Sequence, residues 1–166
     1  MGGGCSPCID GELVVGAAHE ILERGEHHKI PYLIGTTSHD VMPPILYSMA
    51  KSWCEGCGSD AYLWFFERSL PGDNHGAWHS ADLWYWFGTL DNGWRPFTEL
   101  DKKLADEMSD RLCAFAKVGD PNADGYVAWD KGGAKALVMG DKPTKMAKPS
   151  KLKLWCTMFT NKAPGE

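Results

Sequence analysis

Apolar residues crowd together over residues 60–70, DAYLWFFERSL, and the run stops at Pro71-Gly72. A run this rich in aromatics and closed by a turn pair predicts a buried strand. A second run, KIPYLIGTT over 29–37, ends in a glycine and small hydroxyl residues, the pattern of a buried strand opening into a loop at its C-terminal end. From Thr98 to Val118 the period changes. Leu104, Ala105, Met108, Leu112, Phe115 and Ala116 share one face at i, i+4, i+8 spacing, Thr98 can cap with Asp101 three residues on, and Gly119, Asp120 and Pro121 end the helix. Shorter signals complete the pattern. Glu12 to Arg24 predicts a short helix stopped by Gly25, and residues 42–53 predict another with Pro43 or Pro44 in its first turn. ALVMG, 136–140, predicts a last short strand, and LKLWCTMF, 152–159, a short terminal helix or extended segment. Residues 1–9 read as loop or a cloning scar.

Strands alternating with helices imply an α/β layer arrangement, one domain or a fragment of one across 1–166. Two or three strands make a small sheet, and eight tryptophans are many to bury against it. Together they point to one edge of a larger sheet.

Composition narrows the function classes. A 43% hydrophobic and 23% charged chain is ordinary for a soluble domain. A net charge of −5 disfavours nucleic acid as a partner, since affinity for it rests on neutralised phosphates. Lys142, Lys145, Lys148, Lys151 and Lys153 cluster late, but prolines interrupt them, and a solvated tail is expected. No apolar run approaches the ~20 residues of a membrane helix. The first residues lack a basic segment and an apolar core, so no signal peptide is read and a cytoplasmic location is expected. The six cysteines, Cys5, Cys8, Cys54, Cys57, Cys113 and Cys156, would then be reduced thiols, or disulfides were the parent protein exported.

Two groups of residues could carry chemistry. CxxC pairs at Cys5/Cys8 and Cys54/Cys57 could supply four thiolates to a structural zinc, although they lie farther apart than in a usual zinc ribbon. Unpaired thiols are the plainer reading. Among the histidines, His27 and His28 belong to a charged turn and are expected in solvent, His19 on a helix surface, and His39 and His75 in polar turns. His79 differs, because it lies between a flexible turn and the aromatic run DLWYWFG, which would hold its loop. A general base needs a held backbone and a partly dry neighbourhood. Asp40, just past the first strand, could orient it; capping the next helix is the alternative. Asp82 is a second acid, equally able to cap or pair locally.

Three segments in series carry a resemblance: IPYLIGTTSHDVMPPILYSMA, GAWHSADLWYWFGTL and AFAKVGDPNADGYVAWD. In order and spacing they resemble the C-terminal portion of the type-B carboxylesterases, α/β-hydrolases that include para-nitrobenzyl esterases and cholinesterases. The resemblance implies an α/β fold made of a few strands of the hydrolase sheet with flanking helices. His79 would be the triad histidine and Asp40 the triad acid, where the family more often has glutamate. Asp82 would be a buried acid supporting the pair. Trp78, Trp84, Tyr85 and Trp86 are candidates to line an acyl or alcohol pocket, with core packing as their alternative role. No cofactor or metal is implied.

The family's nucleophile sits in a G-x-S-x-G elbow, and no such motif occurs in the 166 residues. Ser38, Ser59 and Ser80 lie on no elbow, and MGGGC at the start lacks the strand that would precede an oxyanion loop. In family order the serine precedes the acid, so the chain reads as the acid/base half of a serine carboxylesterase, inactive alone. Its expected partners are an ester substrate, the missing N-terminal portion, and a second copy able to pair through an exposed sheet edge. The alternatives are a non-catalytic binding or scaffold module, with zinc at the CxxC pairs, and a hydrolase descendant that has lost catalysis.

Overall fold

The computed structural model describes residues 8–150. In chain order the elements are α1 (Ala18–Glu23), β1 (Tyr32–Thr37), α2 (Pro43–Gly56), β2 (Ala61–Phe66), α3 (Leu83–Trp86), a 3₁₀ turn (Leu90–Asn92), α4 (Glu99–Val118), β3 (Gly132–Met139) and β4 (Lys145–Ala147). The strands form one sheet in the order β1-β2-β3-β4. β1, β2 and β3 run parallel, and β4 closes the sheet antiparallel.

Period-2 alternation with both faces apolar explains the layering. Tyr62 and Phe66 of β2 point into one cluster, with Leu137 and Met139 of β3 and Leu104, Ala105 and Met108 of α4. Ala61, Leu63 and Phe65 point the other way, to Ala136 and Val138 of β3 and to Ala50 and Cys54 of α2. Each parallel crossover thus covers one face of the sheet, which is what lets β2 be apolar throughout. Close approach matters at one point in β1: a Cβ on Gly35 would stand 2.2 Å from the Trp64 carbonyl oxygen and 2.4 Å from the Trp64 ring.

α4 begins as its sequence predicts. The Asp101 carboxylate accepts hydrogen bonds from the Thr98 amide and hydroxyl, at 2.8 and 2.7 Å. It also accepts from Arg68, at 2.7 and 3.1 Å, and from the Tyr85 hydroxyl at 2.7 Å. One buried carboxylate therefore ties together Arg68 just beyond β2, the short helix α3 and the start of α4.

Several expectations are corrected. The helix expected from Glu12 begins only at Ala18, because the Asp10 carboxylate accepts the amides of Glu12, Leu13 and Val14 and holds them in a turn. The late lysines are not all tail: Lys145 begins β4, and Met146 packs against the core. Ala116 is exposed, whereas Arg111 is fully buried, its guanidinium bonded to Glu107 and to the Val127 carbonyl. His27 is not solvated: its ring meets Trp53 edge-on at 5.6 Å, and its Nε2 lies 2.6 Å from the Cys57 carbonyl. The segment 152–159, with Lys151, Lys153 and Cys156, lies outside the described residues. Among the described residues no helix is long and apolar enough to cross a membrane.

Candidate active site

β1 and β2 are parallel neighbours, so the loops leaving their carboxyl ends emerge side by side. The first loop carries Asp40 and the second carries His79. The amide of Ser38 donates to the Phe66 carbonyl at 2.8 Å, which extends the pairing beyond the strand ends. His39 then donates to the Ala77 carbonyl at 2.9 Å, and His39 and Trp78 form a parallel bridge. The two loops are thereby aligned before either side chain is considered.

The side chains meet: His79 Nδ1 lies 2.8 Å from Asp40 Oδ1. A carboxylate is acceptor only, so the proton in that contact belongs to Nδ1, and it is the neutral ring that leaves Nε2 with its lone pair. The carboxylate also accepts from the Val41 amide at 2.8 Å and from the Thr36 hydroxyl at 3.1 Å. It is not the cap of α2, whose N-cap is Met42. The imidazole is 72% exposed and the carboxylate 10%. Asp40 is thus fixed from behind, while one edge of His79 is presented outward.

His79 stands in a tight turn, with the Ala81 amide donating to the Trp78 carbonyl at 2.9 Å. Ser80 adopts a φ of 70°, sparsely populated for any residue but glycine. Asp82 is buried beside the pair and accepts from the Trp86 indole at 2.9 Å. Burial pushes its carboxyl up, with the charge of Asp40 adding to the effect, while its own amide, the indole and His79 pull the other way. A salt bridge from Arg95 to Asp73 and a hydrogen bond from Arg95 to the Pro71 carbonyl, at 2.9 Å, brace the stretch that leads to His79.

The aromatic residues divide. Tyr85 and Trp86, offered as pocket walls, are buried in the core instead, Tyr85 bonded to Asp101 and Trp86 to Asp82. Trp78 and Trp84 are half-buried and meet edge-on at 5.8 Å. Thr36 and Arg95 were not singled out by the sequence, and Ser80 was noted only as a serine on no elbow. A hydroxyl four residues before the acid was visible in GTTSHD, but no spacing rule marks it as a donor.

The cysteines lie apart from this site. Cys54 and Cys57 are buried in the cluster under α2, whereas Cys8 and Cys113 are exposed. Burial, reinforced by neighbouring Cys57, pushes the Cys54 thiol up to about 12. Among the described residues no three His, Cys, Asp or Glu side chains gather where they could hold a metal ion. Cys5 lies outside the described residues.

A sequence model of the carboxylesterase family matches residues 46–155, a span containing His79. The chain belongs to the carboxylesterase family. Among solved structures, a PNB esterase superposes with a TM-score of 0.69 over 92% of this chain and 43% of its own, at 14% identity. An esterase from the anaerobe Clostridium hathewayi, described as able to hydrolyse aliphatic aromatic polyesters, gives 0.57 over 69% of this chain and 24% of its own, at 20% identity. A thermophilic PNB esterase gives 0.56 over 69% and 26%, at 17% identity. At these identities the likeness is one of fold, that of an α/β-hydrolase in part, and the chain spans less than half the length of each. No curated protein sequence matches it.

Proposed function

We propose that this chain supplies the acid and base of a Ser-His-Asp triad that hydrolyses carboxylic esters, with the serine carried by polypeptide outside these 166 residues. The observation that carries the reading is the 2.8 Å contact between His79 Nδ1 and Asp40 Oδ1, with the other edge of the imidazole facing outward. In the assembled site Nε2 takes the serine proton as the hydroxyl attacks the ester carbonyl, then returns it to the leaving alcohol. Asp40 holds the ring in the required tautomer and stabilises the imidazolium between the two transfers.

Two features of the surface support an incoming nucleophile-bearing portion. Among the described residues β1 has one neighbour, β2, although its side chains pack on both faces and none is charged. That is the pattern of an interior strand rather than a protected edge. α2 is also two-sided. Its Lys51 and Glu55 flank stands over Gly133 of β3, while its Trp53 flank meets Tyr32 of β1 edge-on at 5.4 Å. Exposed Ile45 and Met49 share the i, i+4 spacing of Trp53 along α2.

The test is complementation. The chain alone, assayed with p-nitrophenyl acetate and butyrate, turns over no faster than its His79→Ala variant. Adding the N-terminal portion of a carboxylesterase, with its G-x-S-x-G elbow, restores turnover that His79→Ala abolishes. Turnover by the chain alone above that variant would mean an unrecognised nucleophile and would refute the proposal. So would complementation indifferent to His79.

A further inference from the structure

We infer that His39 and Gly76 form a latch that sets the register of the two catalytic loops, making His39 a positioning residue for the His79–Asp40 pair; the inference rests on the role proposed above for that pair. The imidazole of His39 lies flat against the backbone of Gly76. A Cβ built there would stand 2.6 Å from its Cε1 and 2.7 Å from both ring nitrogens. Gly76 also has φ +67°, so glycine is required twice over, by conformation and by contact. Nothing in the bond between His79 and Asp40 itself calls for so close an approach three residues upstream.

The ring is also held at its edge. The Ser38 hydroxyl lies 2.9 Å from His39 Nδ1, and Ser38 is buried, its amide bonded to the Phe66 carbonyl at the end of β2. A continuous series of contacts therefore runs from the sheet through Ser38 and the His39 ring to Gly76. The His39 amide then bonds the Ala77 carbonyl, two residues before His79. Asp40 follows His39 directly in the chain. The latch thus fixes both ends of the pair at once: a slip between the loops would part the 2.8 Å contact, which tolerates only a few tenths of an ångström.

The latch does not touch the reacting atoms, so its signature is the tautomer of His79. A free neutral imidazole favours the proton on Nε2, whereas the contact to Asp40 requires it on Nδ1. Ring nitrogen chemical shifts of ¹⁵N-labelled protein, recorded in the 166-residue chain well above the imidazole titration, give the two populations without any assay of turnover. The wild type is expected to hold His79 mainly as Nδ1–H. His39→Ala and Gly76→Ala should each reduce that population by at least half, and Ser38→Ala should reduce it less. Thermal melting identifies any variant that fails to fold, and the remaining two keep the inference testable.

Asp40→Ala separates the two layers of reasoning. If it leaves the His79 tautomer unchanged, the His79–Asp40 pair itself is wrong and the latch falls with it. If Asp40→Ala shifts the population but folded His39→Ala and Gly76→Ala match the wild type, the pair stands and the latch is overturned.

Discussion

Replacing Asp101 by asparagine should be among the most damaging single-atom changes in the chain. Its two carboxylate oxygens accept five hydrogen bonds, two from Arg68, two from Thr98 and one from Tyr85. Every partner is a donor, and the residue is fully buried. In Asp101→Asn an amide NH₂ must face at least one donor with no water to intervene, and the Arg68 charge is left with Asp141, at 2.6 Å, as a counter-ion. Losing two charge-assisted bonds at about 1.5–3 kcal/mol each gives ~3–6 kcal/mol, in line with the ~3–5 kcal/mol for breaking a buried ion pair from one side. Against a domain stability on the order of 5–15 kcal/mol, that is about a fifth of the total or more. Urea unfolding followed by tryptophan fluorescence should show the midpoint falling by roughly 2 M, for a slope of about 2 kcal/mol/M, with the slope unchanged. A second signature lies in acid. Burial alone would raise the Asp101 carboxyl, but Arg68, Thr98 and Tyr85 outweigh it and hold it well below the ordinary carboxylate range. With its folded value depressed, its stabilisation is complete above the unfolded pKa of about 3.9 and is lost as pH falls below that value. The wild type should therefore weaken over that acid range more steeply than the asparagine variant. A loss below about 1 kcal/mol, or parallel acid profiles, would refute this account of the network.

Three other outcomes follow from the geometry. Asp82 has the opposite sign: burial raises its folded value, so the native state holds its proton more tightly and stability climbs as pH falls through that value towards the ordinary carboxylate range. Asp82→Asn keeps an acceptor for the Trp86 indole and should flatten that part of the pH–stability curve; an unchanged slope would exclude Asp82 as its source. Iodoacetamide at pH 8 should modify exposed Cys8 and Cys113 within minutes and leave Cys54 intact until the protein unfolds, because about 1 in 10⁴ of a thiol with a pKa near 12 is thiolate there. Peptide mass spectrometry reads the order, and early labelling of Cys54 would place it outside the core. Gly35→Ala should prevent β1 from seating beside Trp64, with a loss above ~3 kcal/mol in urea unfolding or no soluble protein; near-neutral behaviour would mean that the strand shifts freely.

Much of the fold was legible because its signals are local. Apolar runs of strand length gave β1 and β2, and the capping pair Thr98 and Asp101 with the Gly119 stop gave α4 to the residue. β4 was not legible: three residues are too few to show a period, and two of its neighbours, Lys142 and Lys148, read as solvent-facing charge. The ends of α1 depended on a side chain, Asp10, competing with the helix for the same amides. At the candidate site, His79 and Asp40 were singled out because a family pattern names them. Their surroundings were hidden: Thr36 reaches Asp40 from within β1, and His39 meets Gly76 across two loops. A similar limit applied to the aromatics: sequence cannot tell a pocket wall from a core ring, and Tyr85 and Trp86 proved to be core rings.

The two ends of the sheet are chemically unlike, and this bears on how copies of the chain can meet. β4 ends one side as a three-residue antiparallel strand opening with an exposed lysine, a poor template for further pairing. β1 ends the other with six uncharged residues. Two molecules joined β1 to β1 would be related by a two-fold axis, and each would use up the one uncharged open edge among the described residues. Such an association saturates at a pair, because a filament needs two complementary edges on every subunit. Crowding this chain at high concentration should therefore yield a bounded species in sedimentation, and the edge consumed in it is the same one that a nucleophile-bearing portion would compete to occupy.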